Sequence, residues 1–436
     1  MSKSKSNKIG FFEVAAIGIG GMVGGGIFAV LGLAVQLSEG GAPVAFLIAG
    51  IVALVTSYSY SKLSVTLPGK GGTVSFIDKA FGSGLFTGSM NILLWISYII
   101  MLSLYAFAFG SYGAELFASG SYDLIKHLLI SGIIISITIL NIFSAKLIGE
   151  AEDFVVAIKL IILLFFCIVG FWGIQFDNLA TKNWSPASGL IAGGFIIFLA
   201  YEGFELIANT ADDVRNPEKT LPRAYYASVV FVILLYILVA AVTVGNLPIT
   251  QIVEAKDYAL AKDYALAIAA KPFLGQFGFI LISIAALLST TSAINATLYG
   301  SARLSYIIAR DGELPEFLEE NIWNKPLEGL IITSVATLLV ANLFDLSSLS
   351  TMGSAGFLLI FTGVNLANAK LSELTKSKKT ISYIGAGLCI GALISLLWQT
   401  ISTDVNHLWI FIGMIVLSVS IEATFRIFSR RELKIN

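Results

Sequence analysis

Apolar runs of about twenty residues recur along this chain almost from end to end, each long enough to cross a hydrocarbon layer about 30 Å thick. In such a layer every backbone N–H and C=O must be satisfied inside the protein, so runs of this length imply helices. Composition agrees. Of 436 residues 56% are hydrophobic and 13% are charged, against about 25% charged in soluble domains. Twelve spans fit the pattern, at approximately 11–37, 43–65, 84–114, 124–143, 147–173, 187–211, 222–245, 275–306, 327–343, 347–369, 382–401 and 407–428. The fold class read from the residues is an all-α integral membrane protein of twelve transmembrane helices. The lipid bilayer is its first partner. A net charge of −1 implies no nucleic-acid partner.

Lysine and arginine asymmetry sets the expected orientation. With the N-terminus inside, 21 of the 27 basic residues fall on the cytoplasmic side, five fall outside, and Lys159 lies within a span. Both ends, 1–10 and 429–436, are then cytoplasmic. The first apolar segment is too long for a signal peptide and lacks a small-residue cleavage site, so it is read as retained. Cys167 and Cys389 each sit in an apolar run and make neither a disulfide framework nor a metal cluster. His127 and His407 fall near span ends, as interfacial residues do. Two histidines so far apart in sequence argue against a membrane enzyme.

Within the first span lies G-I-G-G-M-V-G-G-G-I-F, Gly18 to Phe28. Glycine weakens a helix by about 1 kcal/mol per position relative to alanine, so six glycines in eleven residues invite unwinding. Freed backbone at membrane depth is tolerated only where protein encloses it, and a broken helix is therefore a candidate ligand site. Amides of Gly24, Gly25 and Gly26, at the start of the following half-helix, suit a carboxylate. Carbonyls at the ends of the first half-helices suit an ammonium group. The bland alternative is three glycines for close helix packing.

Span 6 carries a second interruption, G-G-F-I-I-F-L-A-Y-E-G-F-E from Gly193 to Glu205, with Gly203 between two acids. Glu202 and Glu205 lie deep in an apolar run, where a charge costs at least a few kcal/mol and so faces a cavity or a partner. Two breaks five spans apart are the pattern of a five-plus-five inverted repeat of the leucine-transporter type, with the site where the breaks face each other. The organisation that follows is spans 1–5 over 11–175, spans 6–10 over 187–369, and two extra helices over 382–428. The second repeat includes an external helical loop, 248–275. That loop holds a direct repeat, K-D-Y-A-L-A at Lys256–Ala261 and Lys262–Ala267, read as a local duplication lengthening a surface helix.

Lys159 stands in the fifth span, roughly 18 Å from its start at 1.5 Å per residue, too deep for its stem to reach water easily. One reading is a structural cation that neutralises a carboxylate such as Glu202. The other is a titratable cation that binds carbonyls at a helix break when protonated and lets go when not, which would let a proton drive a conformational cycle. Span 8 carries S-T-T-S-A-I-N, Ser289 to Asn295. Hydroxyls there usually bond within or between helices.

These features together resemble the amino acid–polyamine–organocation superfamily. G-G-M-V-G-G-G-I-F at Gly20–Phe28 is similar to its break in helix 1, and F-L-A-Y-E-G-F-E at Phe198–Glu205 to its break in helix 6. D-D-V-R-N-P-E-K-T-L-P-R-A, from Asp212, and S-A-R-L-S-Y-I-I-A-R-D-G-E-L-P, from Ser301, resemble the loops after helices 6 and 8. A-A-K-P-F-L-G at Ala269–Gly275, A-x-N-A-T-x-Y-G at Ala293–Gly300 and the fifth-span lysine resemble an archaeal proton-coupled, broad-specificity branch. The resemblance implies a proton-coupled amino-acid transporter working by alternating access, with no cofactor beyond a proton gradient. It implies that Lys159 approaches the Gly20 carbonyl and a hydroxyl in the Ser289–Ser292 run, Thr291 foremost. It places a substrate carboxylate on the Gly24–Gly26 amides and the amino group on carbonyls of Met22, Leu199 and Glu202, beside Ala200. Tyr201 and Glu205 fall where a gate or proton path would lie. Glu202 departs from the family, which usually has an apolar residue there; it would favour a cationic substrate, pair with Lys159 or join the proton path. The wall near Leu199 and Tyr201 points to broad, mainly neutral and apolar amino acids. A sodium-coupled symporter or an exchanger of the same fold, one that takes cationic amino acids included, is the alternative.

Overall fold

The computed structural model describes residues 8–69, 71–117, 121–247, 261–310, 327–403 and 405–428; of 144–153, 261–262, 403, 405–407 and 428 it describes the backbone alone. The first K-D-Y-A-L-A copy, most of the external loop, the end of the post-helix-8 motif, the His407 side chain and the C-terminal tail lie outside what is described.

Helices dominate, and among the described residues β structure is confined to two isolated bridges, Ile9–Val214 and Glu39–Trp184. Among the described residues ten helical stretches are long and apolar enough to cross a membrane, or eleven when the bent pair Phe11–Met22 and Gly26–Ser38 counts as one span. Leu327–Leu343 is apolar but shorter. In chain order the main helices are α1 Phe11–Met22, α2 Gly26–Ser38, α3 Ala42–Thr66, α4 Gly72–Phe81, α5 Leu85–Phe117, α6 Tyr122–Phe171, α7 Ala187–Ile196, α8 Pro217–Asn246, α9 Ala265–Arg310, α10 Leu327–Leu343, α11 Leu346–Lys370, α12 Ser372–Thr375, α13 Lys379–Thr403 and α14 Val405–Phe428.

The glycine run breaks as its composition demands. Helix α1 ends at Met22, α2 begins at Gly26, and their axes differ by 49°. The sixth span departs from two simple half-helices. Helix α7 stops at Ile196 and the chain tightens into a 16-residue 3-10 helix, Phe198–Asp213. A 3-10 run of that length is uncommon and its hydrogen-bond geometry is poorer. Neighbouring hydroxyls compensate at the transition: Ser350 and Ser354 of α11 both donate to Ile196 O, at 2.5 and 2.8 Å, and Ser354 Oγ accepts from Leu199 N at 3.1 Å. Backbone freed inside an apolar span is thus satisfied by side chains.

The fourth and fifth spans join in one element. Helix α6 runs for 50 residues, more than one crossing needs, and contains two apolar stretches, Tyr122–Phe143 and Phe154–Phe171. Phe166 and Gly170 pack on Phe273, and Tyr122 lies by Asp263 and Tyr264, near the start of α9, whereas Asn141 bonds Asn295 further along it. The two stretches therefore pass α9 in opposite senses.

Helix α9 is kinked at Gly275, where φ is +62°. Ahead of the kink the second K-D-Y-A-L-A copy is not a surface helix: Ala265, Leu266 and Ala267 are buried. Apolar side chains at that density pack inward rather than face water. The last two long helices are tied to the body by buried polar contacts. Asn365 and Asn368 of α11 join Ser59 of α3 and Ser382 of α13 in a buried network. Glu422 of α14 is fully buried over Gly88 of α5 and pairs with Arg426.

Candidate functional site

The two breaks meet at the centre of the molecule, backbone against backbone. A methyl group at Gly21 would stand 2.7 Å from Gly203 O, and one at Gly26 would stand 3.0 Å from Ala200 Cα. Only glycine permits this approach. The N-terminal strand-like piece reinforces it, since Ile9 N donates to Asp213 O and Arg215 N to Ile9 O, both at 2.8 Å.

Several carbonyls released at the first break have found donors. Lys159, 1% exposed, donates from Nζ to Gly20 O at 3.1 Å. The phenol of Tyr236 donates to Met22 O at 2.6 Å and reaches Ala200 O at 3.3 Å. The Ser289 hydroxyl donates to Gly24 O at 2.7 Å and lies 3.3 Å from Val23 O. Of the span 8 hydroxyls, Ser289 is thus one that reaches the break, while Thr291 turns back to Leu287 O at 2.7 Å. Sequence spacing could not choose between them, because hydroxyls two residues apart lie on different faces of a helix.

The glycine amides expected to hold a carboxylate lie at the start of α2, where the first N–H groups have no partner inside the helix. Tyr105 of α5 covers them. A methyl group at Gly25 would stand 2.4 Å from Tyr105 Cδ1 and 3.0 Å from Thr290 Cγ2, and one at Gly24 would stand 3.6 Å from the phenol oxygen. Tyr201, expected at a gate, donates to Phe46 O at 2.9 Å and packs against the Tyr236 ring. Leu199 and Ala200 are buried at the α7 end of the 3-10 segment.

Glu202 has Glu205 as its hydrogen-bonding neighbour. In a 3-10 helix side chains three apart stack one above the other, which brings these two carboxyls together. Glu205 is ringed by hydroxyls: Tyr60 at 2.9 Å, Thr73 at 3.0 Å and Tyr98 in a short contact. Glu202 and Glu205 are 3% and 2% exposed, and Glu202 Oε2 has no hydrogen-bonding partner.

A cavity of about 260 Å³ opens beside this pair, lined by Gly20, Gly21, Tyr105, Val156, Glu202 and Ser292 among others. A second, of about 190 Å³, continues past Glu205, Thr73 and Asn209 to Arg303. Tyr98, Leu206, Ala296, Thr297 and Tyr299 line both. Together they form a path from the two breaks toward the end of the molecule that holds Ile9 and Val214.

The expected residues thus converge in part. Gly20, Lys159, Met22, Ala200 and Glu202 surround the crossing of the breaks; Thr291 donates to Leu287 O and Tyr201 to Phe46 O. Ser289, from the hydroxyl run of span 8, joins them, and Tyr236, Tyr105, Tyr98 and Ser354 complete the centre and were missed. Single polar residues in apolar helices were the available signal, too common in such helices to single these out.

The chain matches the family model described as amino acid permease over residues 9–420. It is 37% identical over 432 residues to an uncharacterised protein of Methanocaldococcus jannaschii, covering 99% of this chain and 97% of that one. It is 33% identical to the inner membrane transport protein YbaT of Escherichia coli, over 94% of each chain. It is 22% identical to the branched-chain amino acid permease BcaP of Bacillus subtilis, over 100% of this chain and 95% of that permease.

Proposed function

Since the chain belongs to the amino acid permease family, and is therefore a membrane transporter rather than an enzyme, we propose that it carries amino acids by proton-coupled alternating access. The Lys159 ammonium on Gly20 O is the observation that carries this reading. A protonated lysine ties the fifth span to the broken first span; a neutral one loses the charge-assisted part of that bond, which is roughly twice as strong as a neutral one. Protonation then biases the equilibrium between two arrangements of the breaks, and a ligand that binds one arrangement better does the same. The cargo lies at the crossing of the breaks, its carboxylate toward the Gly24–Gly26 amides once the Tyr105 ring swings aside. Its ammonium group lies toward the carbonyls near Met22 and Glu202.

The membrane organisation that goes with this reading is twelve crossings. The ten long spans, the bent first span and the shorter Leu327–Leu343 supply them. Spans 1–5 and 6–10 form an inverted repeat, with both ends of the chain in the cytoplasm of a cell-membrane protein. The lysine and arginine asymmetry supports that orientation, and the path past Arg303 then opens inward. No cofactor is needed beyond the proton gradient.

The purified full chain in proteoliposomes tests this. Labelled alanine should accumulate saturably when the lumen is alkaline relative to the outside, and a proton ionophore should abolish the accumulation. Accumulation that follows a sodium gradient and ignores the pH gradient would replace this reading with sodium symport. Uptake without saturation would indicate a channel.

A further inference from the structure

The pairing of Glu202 with Glu205 has a chemical consequence for the cargo. A hydrogen bond between two carboxyl groups requires a proton between them, because ionised carboxylates only accept. Glu205 is within hydrogen-bonding reach of the hydroxyls of Tyr60, Thr73 and Tyr98, donors that stabilise a negative charge on it. A pair so arranged accommodates one proton and one negative charge. Glu202 presents Oε2, buried and without a partner, as part of the cavity wall. A buried acceptor without a donor is costly to keep, and a charge placed on it more so. The other groups of the wall near it, the phenols of Tyr98 and Tyr105 and the hydroxyls of Ser292 and Thr297, are uncharged.

We infer that Glu202, backed by Glu205, is a subsite for a cationic side-chain group of the cargo, so that lysine- and ornithine-like amino acids are substrates alongside neutral ones. The inference rests on the amino-acid transport reading above and names part of its substrate class. On arrival of an ammonium group the shared proton shifts to Glu205, and the charge moves to Glu202 Oε2, where it meets the donor. No proton is gained or lost overall. A neutral cargo leaves the proton on Glu202 and passes without using the charge, which lets one cavity take both kinds.

Glu202→Gln separates these cases. The amide can donate to Glu205 as the shared proton did and still shows an oxygen to the cavity, but the negative charge stays behind on Glu205. Binding of L-lysine and of L-alanine to the purified full chain, titrated by thermal shift in detergent, reads the effect without requiring transport. In the native chain both should bind. In E202Q lysine affinity should fall about tenfold more than alanine affinity does, the difference between a charge-assisted and a neutral hydrogen bond, while the melting point without cargo reports on the fold. Equal lysine affinity in the two proteins would overturn the subsite, and so would alanine binding without lysine binding in the native chain. Loss of both cargoes in E202Q would also overturn it, by making Glu202 a structural residue. A native chain that binds neither would instead sink the amino-acid reading on which the subsite stands.

Discussion

Gly203→Ala attacks the junction on which the whole site depends. A methyl group there would stand 2.5 Å from both Gly21 O and Met22 N, with Gly21 C closer still. All three are backbone atoms, so no side chain can rotate away. The two breaks would have to separate by several tenths of an ångström. Overfilling a packed centre costs typically about 1–3 kcal/mol, and each 1.4 kcal/mol is about a factor of ten in an equilibrium constant. Separation would also lengthen the bonds that Tyr236 spans between Met22 O and Ala200 O. The variant should therefore melt several degrees lower and bind alanine about tenfold to a hundredfold more weakly, as read by thermal shift with and without cargo. Gly391→Ala is the matched control, because open space surrounds that position in α13 and alanine is the better helix former by about 1 kcal/mol. A G203A protein with native stability and native alanine affinity would refute the backbone-to-backbone contact.

Further outcomes follow from the same geometry. Tyr236→Phe removes the donor to Met22 O, and an unsatisfied buried carbonyl costs about 1–3 kcal/mol. Its melting point should drop, while the rise on adding cargo should exceed the native rise, because the cargo ammonium supplies the missing donor. An unchanged cargo response would argue that Met22 O does not face the ammonium. A cysteine placed by Thr297→Cys lines both cavities. It should react with a membrane-impermeant thiol reagent applied from the face carrying the chain ends, and alanine should slow that reaction. The two native thiols, Cys167 and Cys389, are buried and should remain silent. Labelling of T297C only from the opposite face would contradict the path past Arg303.

How much of this could be read from the sequence differs by type of feature. The apolar runs and the glycine break were legible, since length and glycine density act through local physics alone. So was the depth of Lys159, and the meeting of its ammonium with Gly20 O was implied by the family likeness rather than by spacing. The sixth span was harder. Gly203 marks where it meets the first, yet the 3-10 winding from Phe198 to Asp213 is held partly by Ser350 and Ser354 from a distant helix. No local signal announces that help. The same winding joins Glu202 to Glu205, so the partner of Glu202 depended on a geometry the sequence does not display. Tyr105 over Gly25 and Tyr236 on Met22 O are tertiary choices of the same kind. The second K-D-Y-A-L-A copy reads as surface by its charges and is buried by its alanines and leucine, because packing against the body of the protein outweighed local polarity.

Lys159→Ala bears most directly on the central claim. In proteoliposomes the variant should still exchange labelled alanine for internal alanine, because the cavity and both breaks keep their shape. It should lose accumulation against a gradient when a pH difference is imposed, because the ammonium that ties α6 to Gly20 O is gone. Undiminished pH-driven accumulation by K159A would contradict the account.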